Sequence, residues 1–232
     1  MMRATIVPII LAADAPAPGG FLRPFALFGN RTALQIAIDN CRTLAAPIVV
    51  LGRRADARSD RSVADALNDC EILIHRSNGS GQLSSLLAAL RRLPPDAAFM
   101  LYPVDYPLLF PAVVRRLAEG FESRLPRHTI VAPRFRGRSG HPVIFAPEMR
   151  GELARAQTAR EVVYHHPRRV KFVGVWTPAI WQDFDTEASY QRRLVEYIGK
   201  HRTHTTLAPF GGEGVRACRD GCGGRSNPKS KI

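Results

Sequence analysis

Short apolar runs and amphipathic stretches alternate along most of the chain. Strand-like apolar runs fall at residues 5–12, 47–51, 71–74, 97–102, 129–132, 142–145 and 170–175. Between them apolar positions recur at helical spacing, over 31–44, 59–67, 81–93, 111–119, 147–154, 159–165 and 186–201. Strands and helices that alternate almost without interruption predict an α/β fold, a mostly parallel central sheet with helices on both faces. No internal repeat and no linker divides the chain. Its 232 residues suffice for one full-sized domain with its own core. The expected domain covers residues 1–202. From about 203 to 232, Gly, Ser, Pro, Lys and Arg dominate, and that basic tail carries too little apolar surface to order itself.

Composition changes this picture little. No apolar run approaches the roughly 20 residues that cross a bilayer, so no membrane partner is expected. The start imitates a secretory signal, with Arg3, an apolar run from 6 to 13, and Ala15-Pro16-Ala17 as a small-x-small site. That run is short, contains Pro8, and would take the first strand with it on cleavage, so a cytoplasmic protein is expected. Cys41 and Cys70 fall on apolar faces and read as core. Cys218 and Cys222 form a lone C-x3-C without a second ligand pair, which argues against zinc. The formal charge of +13 comes from 33 basic against 20 acidic residues. The arginines are scattered over helix surfaces and no nucleic-acid-reading motif accompanies them, so nucleic acid is not the expected partner. The same field favours an anionic small molecule.

In open sheets of this type ligands sit beyond the carboxyl ends of strands. The first strand-like run ends in Leu11 and Ala12, and after it come Ala13 and Asp14, then two prolines, Gly19-Gly20, and Arg23 ahead of a helix. Small residues let a phosphate approach the backbone, and a cation such as Arg23 can clamp it. An ordinary strand-to-helix turn is equally rich in Gly and Pro, so this loop alone does not decide the matter. After the fourth strand-like run, Asp105 stands in Pro103-Val104-Asp105-Tyr106-Pro107-Leu108. A carboxylate locked at a strand mouth suits Mg²⁺, which takes one or two protein carboxylates and fills its other positions with phosphate and water. The competing role, capping the helix near Pro111, is disfavoured by spacing. Asp185, in Asp183-Phe184-Asp185-Thr186, is a second metal candidate, against which stands the N-cap role open to Asp185 or Thr186. Ser84 and Ser85 lie in Gly81-Gln82-Leu83-Ser84-Ser85-Leu86, where both a helix start and a base- or phosphate-facing loop are open. His141, in Gly140-His141-Pro142-Val143, is either a ligand or base, or a hydrogen-bonded structural histidine.

Taken in order, these five segments resemble the MobA-like nucleotidyltransferases, most closely the MocA-type molybdenum cofactor cytidylyltransferases. The resemblance spans roughly residues 4–200. It implies a three-layer, Rossmann-like nucleotide-diphospho-sugar transferase (GT-A type) fold. It implies that a phosphorylated acceptor, molybdopterin in the MocA case, attacks the α-phosphate of a CTP-like nucleoside triphosphate and expels pyrophosphate. A molybdoenzyme would be a further partner. Carried over residue by residue, it assigns Asp105 and Arg23 to catalysis and Mg²⁺ to Asp105 and Asp185. It gives the nucleotide to Leu11, Ala12, Ala13, Asp14, Gly20, Ser84 and Ser85, and the acceptor to Gly140 and His141.

The first loop departs from the family pattern. Asp14 replaces a glycine, Pro16 and Pro18 each remove a backbone N–H, Pro18 displaces an arginine, and Arg23 stands for a lysine. All these changes weaken triphosphate capture and none threatens the fold. An enzyme of altered specificity or reduced activity is therefore weighed against a catalytically impaired protein that binds a ligand or partner in molybdenum cofactor handling. A carboxylate about 4 Å from a triphosphate oxygen costs roughly 1–4 kcal/mol. Asp14→Gly is accordingly expected to tighten triphosphate binding at least about fivefold in a calorimetric titration; unchanged affinity would show that the loop does not face phosphate.

Overall fold

Seven apolar residues in succession leave strand β1 (Ile6–Ala12) without a polar face, and it occupies the middle of the sheet. The structure, a computed structural model, describes residues 5–13, 23–52, 67–75 and 81–205. The other strands are β2 (Leu27–Phe28), β3 (Arg31–Thr32), β4 (Ile48–Gly52), β5 (Glu71–His75), β6 (Ala98–Pro103), β7 (Ile130–Phe135), β8 (Arg138–Ser139), β9 (Val143–Phe145) and β10 (Val170–Gly174). The helices are α1 (Ala33–Cys41), α2 (Gly81–Leu90), α3 (Pro111–Glu122), α4 (Arg150–Leu153), α5 (Ala159–His165) and α6 (Glu187–Thr205).

Among the described residues the main sheet has eight strands, in the order β10-β7-β9-β6-β1-β4-β5, with β8 paired to β7. β1 pairs in parallel with β4 on one side and β6 on the other. β9 alone along that path runs antiparallel to its neighbours, β6 and β7. The sheet is thus mostly parallel, with a reversed strand set into its interior.

Alternation along each strand divides the core in two. Ile10, Met100, Tyr102 and Val131 point to the face covered by α1 and α3. Ile9, Leu11, Phe99 and Leu101 point to the face covered by α2 and α5. Helices on both faces of one sheet make the three layers that the strand–helix alternation predicts.

Element ends differ from the pattern for local reasons. The helix expected over 31–44 starts at Ala33, because Arg31 and Thr32 first pair with Leu27 and Phe28 in a small hairpin. Thr32 then caps α1: its hydroxyl accepts from the Gln35 N–H at 3.1 Å, while the Gln35 side chain accepts from the Thr32 N–H at 2.7 Å. The stretch 147–154 divides into a 3-10 turn (Pro147–Met149) and the single-turn α4. α3 runs on to Glu122 and α6 to Thr205, past the expected domain end at 202. The expected helix at 59–67, all but its last residue, lies outside the described residues, as do the tail from 206 on and Cys218 and Cys222. Cys41 is fully buried and Cys70 partly so. No helix among the described residues is long and apolar enough to cross a membrane.

Gly120 marks where α3 lies closest to the sheet. A Cβ there would meet Val173 Cγ2 on β10 at 2.5 Å. Replacing glycine by alanine inside a helix ordinarily gains about 1 kcal/mol, whereas overpacking a filled core costs about 1–3 kcal/mol. The clash should prevail, since the contact is with a stiff, buried valine. Gly120→Ala is expected to lower the urea midpoint, and Val173→Ala added to it should restore part of the loss. A stabilised single variant would contradict the packing described.

Candidate functional site

The connection from β1 leads to β4 on one side, while β6 docks on the other. Between the carboxyl ends of β1 and β6 the sheet therefore opens the crevice in which α/β proteins of this kind bind ligands. The segment that leaves β6 is pinned from three directions. The Val104 N–H donates to the Leu11 carbonyl at 3.1 Å, and the Phe184 N–H to the Asp105 carbonyl at 3.1 Å. Asn40, 3% exposed on α1, donates through Nδ2 to the Leu109 carbonyl and to Tyr102 Oη, both at 3.0 Å.

Held this way, Asp105 is only 6% exposed. Its Oδ2 lies 3.6 Å from Arg23 Nη1, on the 3-10 turn Arg23–Phe25 that leads into the hairpin. A carboxylate at that depth requires an opposite charge, and losing one partner of such a pair is costly. Asp105 does not cap α3. Phe110 occupies that N-cap position without a side-chain hydrogen bond.

Beside this pair lies a cleft of about 810 Å³. One wall comes from Leu11 and the first turn of α2 (Gly81, Gln82, Leu83, Leu86); the other comes from β7, the β7–β8 hairpin, the start of β9 and α5. Tyr106, His141 and Asp183 also line it. Because β9 is reversed, the residues ahead of it reach the same end of the sheet as those that follow β6 and β7. Gly140 and His141 thereby come to the cleft. A Cβ on Gly140 would fall 1.9 Å from the Ile180 carbonyl oxygen, so only glycine fits. The His141 N–H donates to that same carbonyl at 2.7 Å.

The titratable groups are displaced in ways that suit a ligand site. Burial pushes the His141 imidazole down to about 4, so the ring is neutral at pH 7. Its Nδ1 is buried and has no hydrogen-bond partner among the described residues. Asp183 is pushed up by burial and by neighbouring Asp185, against the opposing pull of Arg193 and Arg23. Tyr106 is raised by burial and then by Asp105, and stays a phenol.

Of the residues singled out in the sequence, the structure brings Leu11, Gly140 and His141 to the cleft and Arg23 to Asp105. Ala12 is buried, Ala13 half-buried at the mouth of β1. Ser85 is buried, and Ser84 lies off the cleft lining: its hydroxyl donates to the Gly81 carbonyl and meets His75 Nε2, each at 3.1 Å. Asp185 is exposed, and its Oδ1 accepts from Ser189 Oγ at 3.2 Å. Thr186 takes the N-cap role, accepting from the Ser189 N–H at 3.2 Å. Asp183, two residues before, is the acid that reaches the cleft. Asp14 and Gly20 lie outside the described residues, as do Pro16 and Pro18.

The donor chemistry fits a hard divalent cation. Among the described residues no group of three or more His, Cys, Asp or Glu side chains gathers as a ready-made cage. Asp105, with Asp183 on the same side, offers carboxylates singly, the arrangement suited to an ion that completes its shell with phosphate oxygens and water.

Sequence and structure comparisons agree with this geometry. A family profile described as a MobA-like NTP transferase domain matches residues 8–170. Among curated proteins no significant relative was found. The crystal structure of Rv0371c from Mycobacterium tuberculosis is 27% identical, with 82% of this chain and 98% of that one covered and a TM-score of 0.70. A crystal structure of that protein in complex with manganese is 28% identical over 84% of this chain and 100% of that one, with a TM-score of 0.67. A nucleotidyl transferase from Methanothermobacter, 16% identical over 84% and 99% of the two chains, shares the fold at a TM-score of 0.66.

The displaced imidazole has a consequence in acid. Unfolded, His141 binds a proton near its ordinary value of 6.5; folded, it does so only near 4. Between those limits the unfolded chain holds more protons, so stability falls as pH drops from 6.5 to 4, by at most about 3 kcal/mol. His141→Gln is expected to flatten this part of the urea stability profile. An unchanged slope would mean that the ring is not buried neutral.

Proposed function

The chain belongs to the MobA-like NTP transferase domain family, and on that premise we propose that it is a Mg²⁺-dependent nucleotidyltransferase. In this reading it transfers a nucleoside monophosphate from a CTP-like triphosphate to a phosphorylated small-molecule acceptor such as the molybdenum cofactor. The observation that carries the reading is Asp105, buried at the switch point of the sheet beside Arg23. The manganese-bound neighbour supports a divalent cation in general.

An acceptor phosphate oxygen attacks the α-phosphorus of the triphosphate; a P–O bond forms there as the bond to the bridging oxygen breaks, and pyrophosphate leaves. The attacking oxygen is already an anion, so no base has to remove a proton. What remains is positioning and neutralisation of charge. Asp105, with Asp183 as second carboxylate, would hold the cation, which would withdraw charge from the phosphates. Arg23 offers a fork of N–H donors to the same phosphates while its charge offsets Asp105. Neutral His141 gives the acceptor a hydrogen-bonding edge without adding charge. Its backbone is held by the Ile180 carbonyl, and its ring packs against that of Tyr106 with centroids 5.2 Å apart.

The second reading, a binding protein on the same fold without turnover, is favoured by Asp14, Pro16 and Pro18 in the first loop. Titration of CTP, GTP and ATP with Mg²⁺ separates the two. The enzyme reading expects one of the three to bind and, with acceptor, to release pyrophosphate. Asp105→Asn should then lower turnover by at least about a hundredfold and weaken the Mg²⁺-dependent part of binding, leaving the part measured in EDTA unchanged. Absence of any calorimetric or thermal-shift signal at millimolar triphosphate would leave the binding-protein reading.

A further inference from the structure

The far wall of the cleft carries three arginines, Arg134, Arg138 and Arg160. Arg31, Arg42, Arg169 and Arg193 each pair with a carboxylate. Arg134, Arg138 and Arg160 line the cleft exposed, and among the described residues no carboxylate pairs with them. Each lies over an aromatic ring instead: Arg134 over Phe172 at 3.5 Å, Arg138 over Trp181 at 5.0 Å, and Arg160 over Tyr164 at 5.6 Å. A ring face orients a guanidinium and leaves its N–H edge free to donate. Asp183 is the one acid along the cleft among the described residues, and His141 is neutral. The cleft wall therefore holds an excess of positive charge at the end away from the first turn of α2.

We propose that Arg134, Arg138 and Arg160 form a second anion site within the cleft, which selects acceptors bearing a carboxylate or phosphate in addition to the phosphate that reacts. The inference rests on the nucleotidyl-transfer reading and specifies its acceptor as a compact molecule with at least two separate anionic groups. Trp181 and Tyr164 line the same wall and offer surface to a planar or apolar body between the two anionic groups. A singly phosphorylated acceptor would leave these guanidiniums without an anion and bind less well. Arg23, paired with Asp105, serves the triphosphate; the three cleft arginines serve the acceptor.

The test uses the full chain carrying Trp176→Phe, so that Trp181, the second of two tryptophans, is the sole indole reporter. The probes are 4-carboxyphenyl phosphate and phenyl phosphate. The expected result is quenching of Trp181 emission, with 4-carboxyphenyl phosphate, anionic at both ends, bound at least about fivefold more tightly than phenyl phosphate. Arg138→Gln or Arg160→Gln should each weaken it about tenfold, as for the loss of one charge-assisted contact, and erase the preference. Affinity for CTP with Mg²⁺ and the thermal midpoint should stay within about twofold and about one degree. Arg138→Lys should recover part of the affinity, having the charge without the planar fork. Equal affinity for the two probes overturns the proposal, as does loss of triphosphate rather than probe binding in the arginine variants. If no triphosphate binds while the probes behave as expected, the anion site stands and the transfer reading falls.

Discussion

A carboxylate almost wholly buried at the mouth of β6 is the constraint around which the rest of the site is arranged. Asp105 needs compensation, and the chain supplies it from several elements at once. Arg23 approaches on a 3-10 turn, itself closed by the Ala26 N–H bonded to the Arg23 carbonyl at 3.1 Å. The loop that carries Asp105 hangs from Asn40 on α1, and α1 starts where it does because Thr32 and Gln35 cap it. Phe184 ties the same loop to the segment that places Asp183 in the cleft. Disturbing any of these contacts costs more than a local hydrogen bond, because the charge at the centre then loses its fixed surroundings.

The reversed strand β9 divides the work of the cleft. Parallel strands on one side deliver their carboxyl ends, with Leu11 and Asp105, toward the half that the proposal gives to the nucleotide. β9 enters from that same edge, so what precedes it, Gly140 and His141, faces the ligand as well. One wall is built by the strand–turn–helix units common to nucleotide-binding α/β folds. The opposite wall, a hairpin, a reversed strand and the short helix α5, can vary its side chains without disturbing the first. Positive charge gathers on that second wall, and it is the side on which specificity for the acceptor is expected to reside.

Much of this was legible in the sequence because hydrophobic period reports burial directly. The seven apolar residues of β1 and the alternation of strand and helix determine the layers, and the acid after β6 stands out between prolines. Other features depend on contacts between distant segments. Nothing in Arg31-Thr32 announces that these residues pair with Leu27-Phe28 before the helix begins. The direction of β9 is invisible to a periodicity that reads the same both ways. Asp183 and Asp185 look equivalent on paper, and only the fold turns one toward the cleft and the other toward Ser189. Nothing in the sequence singles out the arginines of the far wall as a group, since Arg134, Arg138 and Arg160 converge only after β7, β8 and α5 are assembled. Their local signal was Arg-Gly-Arg-Ser-Gly-His, a cationic turn immediately ahead of a candidate ligand residue.

That turn has a further effect. Phe135 pairs with Arg138 across two residues, Arg136 and Gly137, whose φ angles of 46° and 79° both lie in the left-handed region. This is the signature of a type I′ hairpin, whose twist matches the strands it joins. A connection so short has no slack. Arg138 thus reaches the cleft with its backbone fixed, and the indole of Trp181 narrows the rotamers open to its guanidinium. Holding one long side chain ready in this way spares a ligand roughly 0.5–1.5 kcal/mol of ordering entropy on arrival. The hairpin acts as a rigid bracket, and an anion that meets it forgoes little of the binding energy to conformational search.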